Sequence, residues 1–193
     1  MLLKETTPTV FNPLPLAEFS THLRLAHGFN DDGAEDAILE IYLRNATAVV
    51  ERRTGQALIA RHYTLQVASW DRNGHLVMPV GPVAAVDSLR FVGPGSVIDL
   101  EPEDWVLQPG TTRQKLTGPE GVSLWPLPRG SVGELTFSAG YGLTWEDVPP
   151  DLRQAVLILA AHYYENRSGE IEVDGGLPYG VLSIMEQQRP IRI

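Results

Sequence analysis

Cysteine is missing from all 193 residues. Its absence removes disulfides, thiolate nucleophiles and zinc-cysteine sites together, and fits assembly in a reducing cytoplasm. Long apolar runs are missing too: no stretch approaches the roughly 20 residues that a membrane-spanning helix requires, so no membrane partner is expected. The opening Met1-Leu2-Leu3-Lys4-Glu5 has neither a basic n-region nor an extended apolar segment, so no secretory signal is expected. Positive charge is scarce. Fifteen Lys and Arg stand against 24 Asp and Glu, a formal charge of −9, which is opposite to the footprint of a nucleic-acid binder. A wall that DNA merely passes is compatible with that balance, because like charges keep the polymer from adhering.

Catalytic templates are equally thin. Histidines at 22, 27, 62, 75 and 162 form no His-Glu-x-x-His spacing, so no metal site is expected. Asp31-Asp32-Gly33 lacks the alternating oxygen ligands and closing Glu of a calcium loop and reads better as a helix cap. Gly93-Pro94-Gly95-Ser96 lacks the Gly-Lys-Ser/Thr ending of a phosphate loop, and its proline removes a backbone donor, so it reads as a turn. Ser123, Ser131 and Ser138 sit outside any Gly-x-Ser-x-Gly elbow. The chain is therefore read as no enzyme, with no cofactor.

What is present is an ordinary globular composition, 43% hydrophobic and 20% charged, at a length suited to one self-sufficient domain over 1–193. A first helix is predicted from Leu16 to Ala26, after Pro13 and Pro15 and before Gly28, with Phe19, Leu23 and Ala26 as its apolar face. A second runs from the cap residues Asn30-Asp31-Asp32 to Gly55, with acidic residues at its start and Arg52-Arg53 at its end, as the helix dipole favours. At about 100° per residue it gathers Asp36, Glu40, Arg44, Thr47 and Glu51 into one polar stripe, while Ile38, Leu39, Ile41, Tyr42, Leu43, Val49 and Val50 fill most of the rest. Such a helix is buried on more than one side. It is either a central core helix or one held between its own core and a neighbouring subunit.

From 56 to 142 the texture changes to short runs, Tyr63–Val67, Leu76–Met78, Val83–Val92, Trp105–Leu107 and Glu134–Phe137, punctuated by Gly and Pro. These are signals of antiparallel strands joined by turns. With helices at 14–55 and a third at 148–167, apolar nearly all round from Ala155 to Ala161, the expected class is α+β. The expected architecture is a helical-bundle framework, about three long helices plus a short C-terminal one, with an inserted antiparallel β region at 56–142. The segment 177–193 is expected to dock elsewhere, because Val181, Leu182, Ile184 and Met185 followed by Ile191 and Ile193 are too apolar for an idle terminus, and Arg189 is counted with them in the docking set. Glu51, Arg52 and Arg53, charges closing a mostly buried helix, are expected at a subunit interface.

Three stretches in fixed order carry a resemblance: Ala46-Thr-Ala-Val-Val-Glu-Arg-Arg-Thr-Gly55, Phe137-Ser-Ala-Gly-Tyr-Gly142, and Val148-Pro-Pro-Asp-Leu-Arg-Gln-Ala155 leading to His162-Tyr-Tyr-Glu-Asn-Arg167. Together, over residues 14–186, they resemble the phage head-tail connector (adaptor) family, including adaptors of siphophages and gene transfer agents. The resemblance implies a structural subunit of a ring of twelve copies under the portal protein, joining capsid to tail in a virion or phage-like particle. Such a ring extends the DNA channel without specific DNA binding and offers its far side to a stopper or tail-terminator protein. It also implies that the C-terminal segment docks into the portal. The alternative reading is a stopper or tail-completion protein of the same particle, which should be mostly β.

Overall fold

The computed structural model describes residues 1–6, 14–23, 34–110, 113–166 and 177–188. The chain gathers into two compact units, one from the described parts of 1–10 and 59–141, the other from those of 11–58 and 142–189.

The first unit is β. Its strands are β1 (Leu2–Glu5), β2 (Arg61–Val67), β3 (Leu76–Val77), β4 (Val83–Gly93), β5 (Ser96–Leu100), β6 (Val106–Gln108), β7 (Lys115–Thr117) and β8 (Val132–Ala139). Five form one antiparallel sheet in the order β1-β2-β8-β4-β5, and three form a second in the order β3-β7-β6. Alternation decides the faces of the larger sheet, because successive side chains point to opposite sides. Tyr63, Leu65 and Val67 pair with Phe137, Leu135 and Gly133 on the buried side, where the Tyr63 and Phe137 rings stack at 5.4 Å. Between β4 and β5, Pro94-Gly95 makes a two-residue turn with Gly95 at φ 80. Pro at the first central position and a positive φ at the second are the demands of a type II turn. Gln114 acts as a side-chain rung: its amide oxygen accepts from the Val83 N–H at 2.5 Å, and its amide nitrogen donates to the Val83 carbonyl at 2.9 Å.

The second unit is helical, with α1 (Leu16–His22), α2 (Ala34–Thr54), α3 (Pro150–Glu165) and α4 (Tyr179–Gln188). Its core is made by Leu39, Leu43, Ala46 and Val50 of α2, Leu152, Ala155, Val156, Leu159 and Ala160 of α3, Phe19 of α1, and Val181 and Met185 of α4, all buried. Gly55 at φ 69 closes α2 by donating its N–H to the Glu51 carbonyl at 2.8 Å. A non-glycine residue adopts that left-handed conformation only with strain. Pro150 and Asp151 open α3, where neither the missing N–H nor the negative charge costs anything.

This architecture overturns the expected helical-bundle framework of about three long helices. Among the described residues there are four helices, of 7, 21, 16 and 10 residues, against eight strands in two antiparallel sheets. α1 stops at His22 with only Phe19 buried; the expected face residue Ala26 lies outside the described residues. Nor is the sheet simply inserted between helices. β1 lies ahead of α1 in sequence and pairs with β2, so the β unit draws on both sides of the first two helices. Apolar pattern alone did not reveal a strand of four residues whose side chains are all exposed.

Candidate assembly surfaces

The β unit's larger sheet turns a polar face outward. Register aligns Leu2, Gln66, Glu134, Arg90 and Asp99 in one row across all five strands. Gln66 donates to Glu134 at 2.8 Å, Arg90 Nε donates to the other Glu134 oxygen at 2.8 Å, and a second Arg90 nitrogen completes the ion pair. The amide of Gln66, and then Arg90, hold the Glu134 carboxyl below its ordinary range, and the same contact raises the Arg90 guanidinium. This row is satisfied within the chain and offers little to a polyanion. Arg61, among the arginines that could line a basic surface, pairs with Glu5 at 3.2 Å and lies 5.4 Å over the Tyr63 ring. Arg72 and Arg129 are exposed on turns, and Arg113 is half-buried. Among the described residues no group of three His, Asp or Glu is placed to hold a metal, and no helix is long and apolar enough to cross a membrane.

In the helical unit the residues expected to dock on the portal divide sharply. Val181 and Met185, one turn apart, are 0% and 4% exposed and belong to the unit's own core. Leu182 and Ile184 are half-buried. Arg189, Ile191 and Ile193 lie outside the described residues. α4 is therefore an anchor, and its last residue is tied down: Gln188 donates to the Asp151 carboxylate at 2.8 Å, and Gln56 donates to Gln188 at 3.5 Å. These bonds bring the end of α4 to the start of α3 and the segment just after α2.

The residues expected at a subunit interface divide as well. Glu51 is half-buried, and its carboxylate accepts the N–H of buried Leu58 at 2.8 Å. That contact fastens the chain leaving α2 and gives Glu51 an intrachain role. Arg52 and Arg53 are exposed. Burial holds the Tyr163 hydroxyl above its ordinary pKa, and the positive charges of Arg52 and Arg53 offset part of that rise. So Gln56, just after α2, is bonded to the last residue of α4.

The recurring Phe137–Gly142 stretch also acquires a physical reason. Gly140 has φ 141, and any Cβ there would collide with the backbone of Ala60 and Ile59. The next turn is closed by Asp147, whose carboxylate accepts from the Thr144 N–H and hydroxyl at 3.0 Å and is thereby held below its ordinary range. Trp145, at the centre of that turn, is buried and donates to Glu18 of α1 at 2.8 Å. The motif is architectural.

The outward side of α2 is the one for which the sequence allowed a neighbouring subunit. Ile38 and Ile41 are 46% and 57% exposed there, and the 3-4 spacing that continues from them was the available signal.

No protein-family model and no curated protein matches the chain. Solved structures do match. One chain from the neck of an empty gene transfer agent particle computed with sixfold symmetry is 41% identical at a TM-score of 0.87, covering 100% of this chain and 97% of that one. A chain from the virion of a native gene transfer agent particle is 40% identical at a TM-score of 0.86, with the same coverage. A third, from the neck of a native particle computed with twelvefold symmetry, is 34% identical at a TM-score of 0.80, again over 100% and 97%. With this identity sustained from end to end, the chain belongs to the family of structural neck proteins of gene transfer agent particles.

Proposed function

We propose that this chain is the head-tail adaptor subunit of a phage-like particle, assembled in the bacterial cytoplasm. Twelve copies form a ring beneath the portal, join capsid to tail, and extend the DNA channel toward a stopper or tail-terminator protein. The observation that carries this reading is the 41% identity over 97% of a chain from a particle neck, with another relative from a neck computed with twelvefold symmetry. The helical and β units act together as one structural subunit, without catalysis. The net charge of −9 supports a wall that passes DNA without gripping it.

Portal docking falls to the C-terminal segment. Val181 and Met185 root α4 in its own unit, Leu182 and Ile184 flank the root, and Arg189, Ile191 and Ile193 supply the reach beyond it. Deleting residues 189–193 should leave the melting temperature unchanged and abolish co-purification with portal; portal binding by the truncated chain at the wild-type level would refute the docking role. Cryo-electron microscopy of assembled necks tests the ring itself, with twelve copies against the portal expected. A stopper or tail-completion role is the second reading, favoured by the eight strands and opposed by the helical unit. It requires the chain's density to lie away from the portal, on the tail side of a separate ring.

A further inference from the structure

α2 carries two seams, and only one is covered. Leu39, Leu43, Ala46 and Val50 recur at 3-4 spacing on the buried side. Ile38, Ile41, Asn45, Ala48 and Arg52 recur at 3, 4, 3 and 4 on the side facing away, and all five are exposed, as is neighbouring Ala37. At about 100° per residue the two seams lie nearly opposite each other. An unpartnered surface helix ordinarily turns charge outward, whereas a 3-4 repeat of apolar and small residues is the pattern by which one helix receives another. Ala37 and Ala48 permit close approach, and a single Asn within such a seam fixes register.

We infer that this outward seam of α2 is the surface on which a second copy of the same chain docks. The inference rests on the ring reading above and deepens it by locating the contact. Three observations choose the occupant. Relatives 41% and 34% identical come from necks computed with sixfold and twelvefold symmetry, and cyclic assemblies place identical chains side by side. The seam holds no carboxylate, although the chain has 24 acidic residues and a charge of −9. Copies that repel one another must therefore meet where their own negative charge is absent, and Arg52 at the end of the seam adds attraction. Finally, Glu40 and Arg44 pair with each other on the flank of the seam at 2.8 Å and leave no unpaired charge beside Ile41. A ring requires heterologous contacts, so the seam meets a different patch of the next copy and not another α2 seam.

The absence of cysteine makes the test direct. Ile41→Cys introduces one thiol, which is coupled to a benzophenone maleimide, assembled into necks and irradiated. The expected result is a covalent product of twice the chain's mass, with the attachment mapping outside α2 of the second copy. In parallel, the double variant Ile38→Asp, Ile41→Asp should melt like wild type, because both side chains are exposed, yet lower the yield of assembled necks at least tenfold. A product joining this chain to a different protein, no product at all, or wild-type yield from the double variant would overturn the inference. Electron microscopy of the same necks separates the two readings: rings without the crosslink remove only the α2 contact, whereas necks holding a single copy remove the ring.

Discussion

The two units expose their apolar residues in different places. The β unit saturates its outer sheet face: Gln66, Glu134 and Arg90 bond one another across the strands and leave few unmet demands. The helical unit places Ile38, Ile41, Leu143 and Tyr179 in solvent, whereas the exposed large apolar side chains of the β unit, among them Leu2, Val97, Ile98 and Trp125, lie on edge strands and connections. A surface whose polar groups are internally satisfied gains little from a partner, while exposed apolar area gains by being covered. Apolar area open to a partner therefore lies along α2 in the helical unit and at the edges, not on the paired polar row, in the β unit.

Perturbing one unit at a time sharpens that contrast. The largest effects belong to the cores. Phe137→Ala in the β unit should cost about 3–5 kcal/mol and Leu39→Ala in the helical unit about 2–5 kcal/mol, since both side chains are fully buried and truncation leaves a cavity. Urea unfolding measures both losses. Fluorescence adds resolution, because Trp70, Trp105 and Trp125 report on the β unit and Trp145 on the helical one.

Next comes Gly140→Ala. Backbone strain alone should cost about 1–3 kcal/mol, and displacement of the Ala60 backbone adds to it. Thermal melting should fall by several degrees while the helical signal of the second unit is retained; an unchanged melt would show that the motif's glycine is incidental.

A smaller loss is expected for Glu51→Ala, which leaves the N–H of buried Leu58 without its acceptor and should cost about 1–2 kcal/mol. Assembly should weaken only as much as the isolated chain does. A much larger effect on assembly than on melting would return Glu51 to the interface beside Arg52 and Arg53.

The gentlest test is pH. The Glu134 carboxyl titrates below its ordinary range when folded, so its contribution is fully present above the ordinary carboxylate range and is lost as pH falls through the lower folded value. Stability measured on acidification should therefore decline less steeply in Glu134→Gln than in wild type. Parallel curves would mean that the row is not linked to folding.

Helix ends were legible because they obey local chemistry. Gly55 and the Pro149-Pro150-Asp151 start fixed one end of α2 and of α3, and the apolar run Ala155–Ala161 is buried but for half-buried Ile158. Sheet composition was less legible. Pro94-Gly95 was readable as a turn, but its returning strand β5, Ser96–Leu100, is an exposed edge with no alternation to betray it, and β7 is only three residues long. The candidate site suffered from a different ambiguity. Val181 and Met185 at a spacing of four satisfy a partner's groove and a helix's own core equally well, and only packing decides between them. Likewise, Glu51 reads as a charge in need of a partner, and one partner is a backbone N–H seven residues along, which no side-chain pattern encodes.

Gln114 gives the β unit a joint that breaks a general rule about where the sheet ladder comes from. Its backbone carbonyl accepts from the Met78 N–H at 3.0 Å beside the smaller sheet, while its side chain grips both polar groups of Val83 at the start of β4 in the larger one. One residue thus clamps two sheets as a rivet does, and the grip is directional, since an amide carries a donor and an acceptor at fixed spacing. Deuterium uptake would register that rivet: the Val83 amide should exchange as slowly as the interior of β4, and Gln114→Leu should release it without accelerating exchange at Phe91, near the strand's far end.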